Sequence, residues 1–135
     1  MQTHLESNIG FDALIASRRA WIDTVLKPWL RKAPRRDLLF AEQEWVDLAG
    51  RADPKKTLWP WAWSRFPVLY VDDLGGLEET YRLTVMLRDG SRHSGYPDAR
   101  RSVHGELVLL GDAVVNGSRE LGPFSIDDVV AIERA

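Results

Sequence analysis

The chain has 135 residues, 44% of them hydrophobic and 28% charged, which fits one domain or a small domain with a helical attachment and excludes wholesale disorder. It contains no cysteine, which excludes disulfides, zinc–thiolate centres and thiol nucleophiles together and points to a reducing compartment. A formal net charge of −2 gives no general electrostatic grip on nucleic acid.

The opening stretch, up to Leu14, has neither a basic n-region nor an apolar core, so no secretory leader is expected. No apolar run approaches the length of a membrane span. The expectation is a cytoplasmic protein without membrane contact. Three segments follow: a helical region over residues 1–50, a Trp-rich connector with a short strand over 51–76, and a small β-barrel over 77–135.

In the first segment, Phe11, Leu14, Ile15, Ile22, Val25 and Trp29 recur at the spacing of one helix face. Pro28 predicts that this helix ends or kinks at about Lys27, and Ala33-Pro34 marks a break. A second helix is expected from Asp37, as N-cap, to Ala49, with Gly50 as its stop. Leu38, Leu39, Ala41, Trp45 and Leu48 would form its apolar face.

In the connector, Trp59, Trp61 and Trp63 alternate, and Pro60 and Pro67 argue against a regular helix. An extended segment with three indoles on one side is predicted, and Ala62 and Ser64 on the other. Val68 to Val71 reads as a short strand, closed by a turn over Asp72 to Gly76.

The third segment alternates with period two: Tyr81, Leu83, Val85 and Leu87 against Arg82, Thr84, Met86 and Arg88. Asp89-Gly90 and Asn116-Gly117 are hairpin turn signals. Arg92 to Tyr96 is the expected return strand, Glu106 to Leu110 the third, and Phe124 lies near the end of the fourth. Ser125 to Asp128 reads as one tight helical turn before a last strand, Val129 to Glu133. The strand and turn from Tyr81 to Ser91 and the close from Ser125 to Glu133 resemble Sm-like and SH3-like small barrels. The strand order is also similar to that of Rho-binding antiterminator proteins. The resemblance covers residues 81–133; residues 1–76 resemble no family. It implies a small antiparallel barrel, and with the helical reading of residues 1–50 the expectation is an α+β chain, an N-terminal helical pair packed on that barrel, with both a homo-oligomeric ring and a monomer left open.

Catalytic chemistry finds no support in the residues. There is no Gly-x-Ser-x-Gly elbow, no phosphate-binding glycine loop, and no metal signature around His4, His93 or His104. Adjacent acidic residues such as Asp72-Asp73, Glu78-Glu79 and Asp127-Asp128 point in different directions and suit turns and caps. The expectation is a non-enzymatic chain without cofactor or metal. Its foremost candidate surface is the Trp-rich connector, Trp59, Trp61 and Trp63 with Arg65 as polar rim, or an open barrel edge, for a protein partner. The competing role for the three indoles is a joint core between helices and barrel. The alternative function is association with RNA or other nucleic acid through Arg92, His93, Tyr96, Arg100 and Arg101, with Arg31 and Arg35 from the helical cluster. The helical cluster equally suits a solvated face paired with carboxylates of the third segment, and the set from Arg92 to Arg101 a charged loop that keeps a hairpin soluble.

Overall fold

A computed structural model describes residues 4–71 and 76–135. The first helix is longer than the sequence implies: α1 (His4–Trp21) runs through a π-turn (Ile22–Leu26) into α2 (Lys27–Leu30). Pro28 does not end it. A proline ring in a regular helix would strike the carbonyl four residues back and leave it without a donor. Here the turn before Pro28 is widened, so that the Lys27 amide donates to the Ile22 carbonyl, five residues back. The proline therefore stays inside the helix, and the chain turns only at Ala33-Pro34.

The second helix also departs from expectation. α3 (Arg35–Gln43) starts two residues before Asp37, with Pro34 as its N-cap, and a break at Glu44 separates it from α4 (Trp45–Ala49). Proline supplies no capping oxygen. The Arg35 amide instead donates to Asp127 Oδ1 at 2.7 Å, from the far end of the chain. Leu38, Ala41 and Trp45 are buried as the apolar pattern predicts.

The connector is helical, contrary to the extended segment predicted. α5 (Leu58–Trp63) places Pro60 at its third position, where the amide has no intrahelical partner to lose. Helical spacing then turns the alternation against itself. Trp59 and Trp63, four apart, share a face and are 5% and 2% exposed, while Trp61 lies elsewhere and is half-buried. Ala62, expected on the face opposite the indoles, is fully buried. The strand expected at Val68–Val71 is reduced to β1 (Tyr70–Val71), which pairs with β2 (Gly76–Leu77). Of the turn expected over Asp72 to Gly76, residues 72–75 lie outside the described residues, and Gly76 opens β2.

Five strands follow: β3 (Leu83–Leu87), β4 (Arg92–Pro97), β5 (Glu106–Val115), β6 (Ser118–Ser125) and β7 (Val129–Arg134). They form one antiparallel sheet in the order β6-β5-β4-β3-β7. β5 does not stop at Gly111 as predicted but continues to Val115. The sheet is open: no ladder joins β6 to β7, although a tight turn, Asp128 N–H to the Ser125 carbonyl at 2.9 Å, connects them. Leu83 and Val85 point into the core, as the period-two pattern requires. Helices and sheet share a single cluster, in which Leu30, Leu38, Trp45, Trp63, Leu83, Leu107 and Ile126 pack together.

The hairpin between β5 and β6 carries the turn that its sequence demands. Asn116 and Gly117 have φ of 52° and 79°. No atom lies within 4 Å of where a Cβ at Gly117 would stand, so a substitution there strains only the backbone. Gly117→Val should therefore cost about 1 kcal/mol or more, read as a lower denaturation midpoint with an unchanged slope. A midpoint equal to the wild type would refute the turn assignment.

Candidate functional site

The connector residues are mainly structural in their placement. Trp59 Nε1 donates to Glu42 Oε2 at 2.6 Å, and Glu42 also meets His104 Nδ1 at 3.0 Å. Trp45 Nε1 donates to Thr57 Oγ1 at 3.0 Å. Trp61 packs its ring 6.0 Å from that of Trp45 and lies under the Lys27 ammonium at 4.8 Å. Arg65, expected on a polar rim, reaches inward. Its Nη2 donates to the carbonyls of Leu30 and Ala33 at 2.7 and 2.9 Å, and its Nε to that of Ala62 at 3.0 Å. These are carbonyls at the end of α2, in the turn after it, and in α5, so one guanidinium ties the helical hairpin to the connector. Burial, the larger influence, lowers its pKa, and the charge of Asp127 opposes that shift.

The residues of the nucleic-acid reading are scattered among local duties. Arg31 donates to Ser64 Oγ at 2.8 Å. Arg35 meets the His104 carbonyl at 2.8 Å and Glu106 at 3.5 Å. Arg101 pairs with Glu120 at 2.8 Å. His93 stacks near Phe124, ring centres 4.7 Å apart, and contacts Ser91 Oγ. Arg92, Tyr96 and Arg100 are exposed. The pairing of Arg35 with Glu106 is the surface arrangement weighed against phosphate contact for the helical cluster. Among the described residues, no group of three or more His, Asp and Glu is placed to hold a metal ion, and no helix is long and apolar enough to cross a membrane.

The feature that sequence reasoning placed wrongly is the stripe on the first helix. A repeat at helical spacing is ordinarily a core face. Here Phe11, Leu14, Ile15, Val25 and Trp29 all face solvent, with Phe11 62% and Leu14 70% exposed. Every residue from Gly10 to Trp21 is exposed. Leu26 and Leu30, offset from the stripe, enter the core, and Ile22 is half-buried against it. At its C-terminal half the stripe borders a groove of about 480 Å³ between the long helix and α3–α4. Trp21, Val25 and Trp29 form one wall, Phe40, Ala41 and Leu48 the other, with Asp37 and Glu44 on the rim. The walls run antiparallel, since Arg18 Nη2 lies beside Gly50, the residue closing α4, 3.3 Å from where a Cβ would stand. Asp37 therefore sits toward the Trp29 end, and Glu44 toward the Trp21 end. The sequence signal for this surface was present in the surplus of apolar residues: six on the first helix, against a joint core already filled by four tryptophans and the sheet.

Comparison of the chain with protein-family models, with curated proteins and with solved structures gave no match.

Proposed function

We propose that the chain is a non-enzymatic protein-binding module whose docking surface is the groove between the first helix and α3–α4, extended along the exposed stripe of α1. One observation carries this reading: Trp21, Val25, Trp29 and Phe40 line one apolar groove and are all exposed, on a chain that buries Trp45, Trp59 and Trp63. An exposed apolar patch of this kind, rimmed by carboxylates, has the anatomy of a protein interface. Its shape, a trough between two helices, suits a third amphipathic helix. The connector then supports the groove from behind rather than forming it, because Lys27 and Trp61 brace the helix that makes one wall.

The strand order and the tight turn between β6 and β7 support a finer reading of the sheet as a small barrel of the SH3-like or Sm-like kind, opened between its edge strands. The absence of cysteine supports a cytoplasmic location. Placing a photo-cross-linking phenylalanine analogue at Phe40 in the native host tests the docking surface. A polypeptide adduct is expected at Phe40 and not at exposed Val130 on β7, which does not line the groove. No adduct at Phe40, or equal adducts at both, would refute the reading.

A further inference from the structure

We propose that the groove takes a cationic amphipathic helix of a partner protein, its apolar stripe between the walls and two lysines or arginines set at the interval of Asp37 and Glu44. The inference rests on the docking surface above and names its occupant. Charge, spacing and the sign of the rim carry it.

Two ionisable side chains line the groove, and both are carboxylates. Asp37 and Glu44 are exposed, and among the described residues neither makes an ion pair. The opposite wall, with Trp21, Val25 and Trp29, holds no charge. Cations nearby in sequence are engaged elsewhere. Lys27 pairs with Asp23 at 3.2 Å and covers Trp61. Arg35 turns to His104 and Glu106, and Arg36 lines a different cleft with Ser125 and Asp127. The lining thus supplies no counter-charge and leaves it to the occupant.

Asp37 lies in the first turn of α3, and the Glu44 amide still donates to the Phe40 carbonyl, so the two belong to one helical run. They are seven residues apart, just under two turns, which gives a rise of about 10 Å. A second helix laid along the trough presents side chains of one face at the same interval. Phe40 stands between the two carboxylates in the chain and is 56% exposed. Its ring and those of Trp21 and Trp29 offer apolar and π surface to the stems and heads of arriving lysines or arginines.

The sign of the rim decides among partners. An anionic lipid surface and a phosphate backbone are both repelled by Asp37 and Glu44. An acidic helix meets the same like-charge cost, and of these partners only a cationic helix satisfies both the walls and the rim.

Two measurements test the proposal. In the native host, the segment attached to the photo-active analogue at Phe40 is identified by digestion and mass spectrometry. It should carry an apolar stripe at helical spacing and two lysines or arginines at the Asp37–Glu44 interval. With purified chain, the probe is a fluorescein-labelled leucine–lysine peptide of about 18 residues in that pattern, set against a twin with glutamate for every lysine. The lysine peptide should bind at least about tenfold tighter, and the gap should close in about 0.5 M salt. Asp37→Lys with Glu44→Lys should reverse the preference, and Asp37→Asn with Glu44→Gln should abolish it. Both positions are exposed and outside the core, so thermal melting confirms that each variant is folded. Equal affinity for the two peptides, binding of neither at about 100 µM, or a preference that both variants keep would overturn the proposal. A Phe40 adduct on an acidic segment, or on a second copy of this chain, keeps the docking surface and loses this occupant; no adduct loses both.

Discussion

Trp63→Ala should lower stability by roughly 3–5 kcal/mol, the cost of emptying a large buried aromatic site that the surroundings refill only in part. Trp63 is 2% exposed in the core cluster that helices and sheet share, with the ring of Phe66 6.2 Å from its own. A domain of this size holds about 5–15 kcal/mol in total, so the variant should be substantially unfolded at modest denaturant. Trp61→Ala is the matched control. Its indole is half-buried and braced by Trp45 and Lys27, so a loss nearer 1–2 kcal/mol is expected. Urea midpoints of the two variants decide the matter. Equal losses would mean that the connector does not present distinct inner and outer faces.

Gly95→Val should be comparably severe for a different reason. A Cβ at Gly95 would stand 2.5 Å from the Leu110 carbonyl oxygen and 2.8 Å from its carbon, both backbone atoms of the neighbouring strand. Backbone cannot swing aside as a side-chain tip does, and the adjacent pair Tyr96–Leu110 is the start of the β4–β5 ladder. Relief requires parting the strands, at a cost of about 3 kcal/mol or more and a fall in melting temperature on the order of 10 °C. Gly10→Ala provides the contrast: nothing lies within 4 Å, the position is helical, and the substitution should be neutral or stabilising by up to about 1 kcal/mol. A melting temperature for Gly95→Val within a degree or two of the wild type would show that the strands are not in contact there.

The sheet was the most legible part of the sequence, because strand burial has period two and its turns need particular residues. Leu83 and Val85 could be assigned to the core, and Asn116-Gly117 to positive φ, from identity alone. The helices were legible as helices but not as surfaces. A stripe such as Phe11, Leu14 and Ile15 states that a face is apolar, and is silent on whether the chain itself covers it. Proline was only half legible. Pro28 was read as an end or a kink, and the helix keeps going through a widened turn that leaves no mark in composition; Pro60 was read as forbidding a helix when only its interior would be closed to it. Arg65 was misplaced because a cation beside three indoles looks like a rim, and its true partners are carbonyls that no sequence pattern announces.

The bond from Asp127 to the Arg35 amide has a consequence for the order in which the molecule is made. A ribosome extends the chain from its N-terminus, and segments fold when their partners have emerged. The residue that closes the start of α3 is added 92 positions after the amide it receives. Until then that helix has an open first turn, and the wall that carries Phe40 lacks its anchor to the sheet. Complete synthesis therefore precedes a finished groove, and a nascent chain stalled before Asp127 would carry an exposed apolar first helix beside a wall not yet fixed in place.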